Sequence, residues 1–567
     1  MRQSFSKSTK YMRTVDSACL FLFSILNLKF LDVHAEIEIC TIAFSNCRNG
    51  QLVDEPHAPN WHSPQRCSIQ LNARSLEPSG QDASSQDASS MCGPTTFEDI
   101  FDWSAQVFQM VSDFGLAHGL KVEDTVSQLA ARNITVTSAF SGMGTAEMSF
   151  PFIQHAFEQR GFKLNVTHHA ACDIDPVCRK LLSGHNSITR PTHLFDDLTQ
   201  WVDENSLLLL TELQSSWKGR CLEEFGALPK EGQTKGAKRC LVAQYGRDFV
   251  VAAVGLLNQP QVLVHESGFC HHHQKQCPYW PDKSMTANLL HIEVGGNTCT
   301  PWSSVGLQWG WLDSASIRNL IWLRSVAQGR PHMFFNECTV LYDVNVIKLF
   351  LTDYQMNSMI FGPLDIGIPC HRRRVYNVLS RSDTLQPAVT LDGDALKAIV
   401  GRSLVSDGTL FLRASPQQVK EFVDRLAALR SIPKRVDGRA FDCRAVMACG
   451  DRMCLEMVLE GLENSGKSFK FVDVTQTATF CRASNTIPCL LRRTTIFATT
   501  ELRILLPLEE LCAQCIPLTL PAEHKFAGFA PFCNLLLDDL SDRRAVRVRM
   551  RLRGSRIPRV TPPSAKK

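Results

Sequence analysis

The feature that most constrains this chain is an alternation beginning at Ile134. An apolar run over 134–140 is followed by a glycine-bearing turn over 141–144, a helical pattern over 146–160 and a second apolar run over 164–172. Strand, turn, helix and strand in that order predict parallel strands joined by a crossover helix, because parallel neighbours cannot be joined by a tight hairpin. A second helix is expected over Pro176–Ser183 and a third strand, ending in acids, over 192–198. The order suits a doubly wound α/β sheet, whose ligands lie outside the carboxyl ends of the strands.

Those strand ends carry the first chemistry. Phe140-Ser141-Gly142-Met143-Gly144-Thr145-Ala146-Glu147 sits where strand gives way to helix, so its glycines let the backbone approach a ligand. The motif lacks the third glycine of the dinucleotide fingerprint. The second strand ends in Cys172-Asp173-Ile174-Asp175, where an acid about 30 residues on is placed for ribose hydroxyls. The third ends in Asp196-Asp197-Leu198-Thr199. Together these ends describe a nucleoside cofactor site. Asp175, before Pro176, reads as a helix cap, and Glu147 as a solvated first-turn acid.

A second set lies downstream. Gly295-Gly296-Asn297-Thr298-Cys299-Thr300-Pro301-Trp302-Ser303 takes a cysteine from an apolar strand into a Gly/Pro/Ser loop, a placement suited to nucleophilic use. Met333-Phe334-Phe335-Asn336-Glu337 is another buried strand ending in a carboxylate. Cys370-His371-Arg372-Arg373-Arg374 offers two arginines at i and i+2, which share one face of a strand.

In this order the motifs resemble the cytosine-C5 methyltransferases, which use S-adenosylmethionine. The likeness covers about residues 134–382 and 486–518; the second part includes Ile487-Pro488-Cys489-Leu490-Leu491-Arg492 and Arg503-Ile504-Leu505-Leu506-Pro507-Leu508-Glu509 with Gln514 and Pro517. The resemblance implies a Rossmann-like methyltransferase sheet, a smaller, divergent target-recognition domain, and DNA as substrate. It makes Cys299 the nucleophile at cytosine C6, Glu337 the partner of ring N3, and Arg374 with Arg372 the binder of O2. It gives Asp173 to the ribose, Ile174 to the adenine face and Asp197, beside Leu198, to the adenine amino group. Phe140, Ser141, Gly142, Gly144, Thr145 and Thr298 complete the cofactor set. A target inside a duplex has to flip out to react.

Several positions depart from the family pattern. Thr298 and Thr300 replace the residues that flank its nucleophile, Glu337-Cys338-Thr339 keeps only the acid of its motif, and Cys370 opens the arginine motif. The closing Gly-Asn motif of the cofactor pocket is not found after Pro517. The chain ends instead in a basic stretch with arginines at 547, 549, 551 and 553, as in a strand with one phosphate-binding face or an altered terminus. Two other readings therefore stand beside a DNA enzyme: a transfer-RNA-directed relative, and a nucleic-acid-binding protein with impaired catalysis.

Composition adds limits. With 60 basic and 56 acidic side chains the net charge is +4, so nucleic-acid contact has to be local. The 22 cysteines in 567 residues fall short of a disulfide framework and read as buried thiols. No long uninterrupted apolar run suggests a membrane span. Residues 1–35 form an expected targeting segment, with four basic residues before an apolar stretch, and organelle targeting is the alternative to a nuclear location. Residues 36–96, with the repeat Gln81-Asp82-Ala83-Ser84-Ser85, are expected to form a disordered N-terminal region. A helical lead-in follows at 97–132, then the catalytic domain at 133–385 with an insertion at about 203–285. The recognition domain is placed at 386–485, a return segment at 486–520 and a basic tail at 521–567. Within the insertion, Cys270-His271-His272-His273 and Cys277 offer soft ligands for zinc but lack the paired Cys-x-x-Cys spacing of structural sites, so no metal is assigned, and a solvated loop with two incidental thiols is the reading set against zinc.

Overall fold

The computed structural model describes residues 28–30 and 92–516, except 120, 260–261, 263, 283–287, 304–305, 388–392, 433–441, 476–481 and 491–493. The expected targeting segment (28–30 apart), the Gln81–Ser90 repeat and the basic tail lie outside the described residues.

The alternation read from the sequence forms one seven-stranded sheet. Its strands are β1 (Asn133–Ala139), β2 (Asn165–Cys172), β3 (His193–Phe195), β4 (Leu289–Gly296), β5 (Met333–Cys338), β6 (Tyr354–Phe361) and β7 (Arg374–Arg381), in the spatial order β3-β2-β1-β4-β5-β7-β6. The strands from β1 to β5 are parallel, and β7 runs antiparallel to both β5 and β6. The order reverses between β1 and β4, which makes that gap the topological switch point where such sheets take their ligands. Register brings the critical ends level, with Ala139 beside both Cys172 and Gly295, and Gly296 beside Glu337.

Side-chain alternation builds a core on each face of this sheet. Met333, Phe335, Tyr376 and Val378 enter one, while Phe334, Cys338, Val375 and Leu379 enter the other. The first core is covered by the lead-in, a 3-10 turn Glu98–Asp102 followed by α1 (Trp103–Ala117) and α2 (Val122–Ala130). Its apolar positions Phe97, Ile100, Phe101, Trp103, Val107, Phe108 and Val111 are all buried, as their helical spacing predicts. They pack on α3 (Thr145–Glu158), the helix after the glycine turn: Phe101 stacks on Phe152 at 6.1 Å, and Phe108 meets Phe157 edge-on at 5.2 Å. Helix α4 (Pro176–Ser183) begins at the expected cap, with Asp175 accepting from Val177 N at 2.9 Å.

The insertion is more ordered than its composition suggests. It opens with two long helices, α5 (Glu204–Ala227) and α6 (Lys235–Leu257), capped by Asp203 and Thr234. Helix α6 is long and apolar enough to cross a membrane, yet its Phe249, Val250, Ala253 and Leu257 are buried in the second core. The Cys/His cluster expected to be a solvated loop is a β-hairpin, Ser267–Cys270 with Lys275–Pro278, and both its cysteines are buried. After β4 come α7 (Ile317–Gly329) and α8 (Asn345–Phe350).

Helix α9 (Gly393–Val400) packs into the first core through Leu396 and Val400, and the smaller lobe contains α10 (Pro416–Leu429) and α11 (Cys449–Asn464). Its antiparallel sheet has the order β9 (Arg482–Ser484), β8 (Phe471–Asp473), β10 (Ile496–Ala498), β11 (Arg503–Ile504). Phe422, Val446, Leu455, Val472, Phe497 and Leu506 form its core. Strands β10 and β11 pair in this lobe's sheet and send Phe497 and Ile504 into its core, while Ile487, Leu490, Ile496 and Leu505 already enter the main core ahead of α12 (Pro507–Cys512). A buried two-pronged pair marks that junction, with Arg503 Nη1 and Nη2 each donating to Glu509 at 2.7 Å.

Candidate active site

The nucleophile half is built from the ends of β4, β5 and β7. The last residues of β4 must be small, because a Cβ on Gly295 would fall 1.9 Å from the Trp322 ring. The chain then turns immediately after Cys299, whose carbonyl accepts from Trp302 N at 3.1 Å and Ser303 N at 2.9 Å. A ladder of buried asparagines ties the three strand ends together. Asn377 Nδ2 donates to Asn336 at 2.9 Å, and Asn336 Nδ2 donates to Asn297 at 3.0 Å. None of these asparagines was singled out in the sequence, although Asn297 stands two residues before Cys299.

Glu337 lies between the two arginines expected to share a face. Arg374 Nε is 3.0 Å and Arg372 Nη2 3.6 Å from the same Glu337 Oε1. Burial disfavours the charge of Arg374, yet Glu337, Cys489, Cys299 and Tyr376 together hold its pKa above the ordinary value. Cys489 is placed here by pairing of its segment with the arginine motif, since His371 N donates to Ile487 O and Ile487 N to Pro369 O, both at 2.9 Å. For Cys299 the balance goes the other way. Burial and the charge of Glu337 raise its thiol pKa above the ordinary value, and Arg374 and Arg372 offset this only in part. Cys299, Glu337, Arg372 and Arg374 are thus brought together, with the thiol at rest protonated at neutral pH.

The nucleoside half occupies the ends of β1, β2 and β3. Phe140, Gly142 and Gly144 all have positive φ, at 52°, 62° and 84°. A Cβ at Gly144 would also meet His185 Cε1 at 2.3 Å. His185 buttresses this turn through an Nε2 contact to Met143 O at 2.9 Å, and burial lowers its pKa to about 4, so the ring is neutral. Ser141 lies beneath the turn, its hydroxyl 2.7 Å from that of Ser138. Ser138 also donates to Glu147, which is 1% exposed: the solvated acid expected there is instead a buried anchor. Thr145 opens α3, and Ile174, Leu198 and Thr298 stand at the ends of β2, β3 and β4.

The two acids assigned to the cofactor already have protein partners. Asp173 is buried and accepts from Gly142 N at 2.8 Å through Oδ2 and from Asp175 N at 2.9 Å through Oδ1. Asp197 caps the turn over Leu198–Trp201 and receives a two-pronged contact from Arg318, Nε to Oδ1 at 2.9 Å and Nη2 to Oδ2 at 3.0 Å. Burial opposes ionisation of Asp197, but Arg318 and the Thr199 donors outweigh it and hold its pKa below the ordinary value. Neither Arg318 nor His185 carried a local sequence signal.

No sequence family and no curated protein matches the chain. Among solved structures it is similar to a methyltransferase of Entamoeba histolytica, at 14% identity over 44% of this chain and 53% of that one, with a TM-score of 0.22. It is also similar to a protein described as a DNA modification methyltransferase encoded within a prophage (E. coli), at 13% identity over 50% of this chain and 56% of that one, with a TM-score of 0.24. The matched region thus spans about half the length of each of these two. A Spodoptera frugiperda DNMT2 mutant is covered over 99% of its length by 73% of this chain, at 11% identity and a TM-score of 0.29.

Proposed function

We propose that the protein is a cytosine-C5 methyltransferase that uses S-adenosylmethionine and acts on DNA, with the nucleus as its place of action. The observation that carries this reading is the convergence of Cys299, Glu337, Arg372 and Arg374 across the switch point from the glycine turn. Carbon 5 of cytosine is a poor nucleophile, and attack of a thiolate at C6 converts the ring to an enamine that can accept a methyl group. Glu337 faces ring N3 and Arg374 faces O2, so negative charge that develops on the ring meets fixed positive charge and a hydrogen-bonding carboxyl. Loss of the C5 proton to a base and cleavage of the bond between sulfur and C6 then return the ring to aromaticity and release Cys299 as a thiolate, which regains the proton it gave up before attack.

The cofactor supplies the activated methyl group. Residues of the nucleoside half suit it at the methionine and ribose ends: the positive-φ turn keeps backbone bare, and the Asp173 carboxylate stands at the end of β2 beside that turn. At the adenine end Asp197 shares its carboxylate with Arg318.

The test is a trapping experiment. Full-length protein is incubated with labelled S-adenosylmethionine and duplex DNA carrying 5-fluorocytosine, beside Cys299→Ala. The halogen blocks the final elimination, so a denaturation-resistant adduct is expected with the wild-type protein alone. An adduct on transfer RNA but not on DNA would reassign the substrate, and none on either from a folded protein would point to a binding protein.

A further inference from the structure

The hairpin of the insertion brings together side chains that the sequence keeps apart. Cys270 and Cys277 lie on its two strands, His273 lies in the connecting turn, and His193 reaches them from the start of β3, far upstream. One ligand atom from each of these four residues lies within 4.8 Å of the others. His273 Nδ1 is central, at 3.5 Å from both sulfur atoms.

We infer that His193, Cys270, His273 and Cys277 form a structural zinc site that staples the insertion to the edge of the main sheet. Two thiolates and two imidazoles make a closed tetrahedral set with no open position for chemistry. Zinc-to-ligand lengths of about 2.0–2.3 Å put tetrahedral ligands roughly 3.3–3.8 Å apart, so the observed cluster has to contract only slightly. Its surroundings are those of a built site. Cys270 is 0% and Cys277 4% exposed, and Leu194 N points at Cys270 Sγ from 3.4 Å, a hydrogen bond that supports a thiolate. His193 Nδ1 is buried without a hydrogen-bond partner, an orphan that metal ligation of the ring helps to explain.

The neighbouring histidines serve as internal controls. His271 Nε2 lies 3.4 Å from Asp196, and His272 Nε2 lies 3.1 Å from Ser183 Oγ, so both are directed to other partners. The hairpin also bonds directly to β3, with His271 N donating to Leu194 O at 2.8 Å. A zinc ion here would fix the strand whose end carries Asp196 and Asp197. Sequence spacing missed the site because its fourth ligand belongs to the sheet, and Cys-x-x-His-x-x-x-Cys alone resembles no paired motif.

The test uses full-length protein purified under reducing conditions. Elemental analysis is expected to find one zinc per chain. After metal removal, titration with Co(II) is expected to give the visible absorption of a tetrahedral ion and a thiolate-to-metal charge-transfer band. Cys270→Ser and Cys277→Ser should each lose the zinc and the charge-transfer intensity, His193→Ala should weaken binding and alter the Co(II) spectrum, and His271→Ala and His272→Ala should change neither. Absence of both zinc and a Co(II) spectrum in folded wild-type protein would overturn the inference. So would metal retained by the Cys270→Ser/Cys277→Ser double variant, or a Cys270–Cys277 disulfide in place of metal. The wild-type Co(II) titration decides the matter even if a variant fails to fold.

Discussion

The two halves of the sheet edge use charge in different ways. In the nucleophile half, Glu337, Arg372 and Arg374 take one another as partners, and all three act on Cys299. In the nucleoside half, the carboxylate of Asp173 holds the glycine turn and that of Asp197 is clasped by Arg318. One half turns its charges on a single thiol, and the other uses its acids to hold the glycine turn and an arginine in position. The difference teaches that an acid at a strand end is not by itself a ligand for a cofactor: its protein partners have to be counted first.

The largest effect that would sharpen this contrast is loss of the nucleophile. Cys299→Ala should lower methyl transfer by at least roughly 10³-fold while leaving cofactor affinity and melting temperature near wild type. Labelled-methyl transfer and equilibrium dialysis measure the two separately. Loss of cofactor binding in this variant would break the division into halves.

Gly144→Ala tests the nucleoside half through its backbone. A φ of 84° and a Cβ placed 2.3 Å from His185 Cε1 predict a loss of about 1–3 kcal/mol and weakened cofactor binding. Gly161→Ala is the control. Its φ is 81° but nothing lies within 4 Å of the added Cβ, so it should cost about 1 kcal/mol and spare binding. Thermal melts of the two variants separate strain from collision.

Arg318→Ala should act more mildly. It frees Asp197, so cofactor affinity should change several-fold, about 1 kcal/mol. Because Arg318 depresses the folded-state pKa of Asp197, the pair stabilises the protein above the ordinary carboxylate value of 3.8, and that stability is lost as pH falls through the depressed value. Wild type should therefore lose more stability than Arg318→Ala on acidification across that window, as denaturant titrations at a series of pH values would show. Equal losses would mean that the pair does not hold Asp197 in solution.

How much was legible in the sequence follows the same divide. Cys299, Glu337, Arg372 and Arg374 stood out by residue type at strand ends and by the resemblance, and the structure brings them together at one edge of the sheet. The cap at Asp175 was equally local, since its partner Val177 is two residues away. Glu147 was misread because its partner Ser138 lies on the preceding strand, so burial depended on how α3 packs. Arg318 reaches Asp197 across 121 residues, and no local pattern encodes such a meeting. The insertion hid its helices because long charged and apolar stretches alternate without a strong face, although Asp203 and Thr234 stand at cap positions.

The smallest effect concerns the resting state of Cys299. Burial and Glu337 raise its thiol pKa, and the arginines oppose them. At neutral pH the free protein should therefore alkylate Cys299 with iodoacetamide more slowly than the exposed Cys449, and the rate at Cys299 should keep rising at pH values where an ordinary thiol has already levelled off. Arg374→Ala removes the leading opposing charge, so its Cys299 profile should shift further towards alkaline pH. Peptide mapping of the alkylated cysteines against pH measures all three. A Cys299 profile that levels off below that of Cys449 would mean that the arginines prevail over burial, and that the nucleophile half is charged for attack before any base enters it.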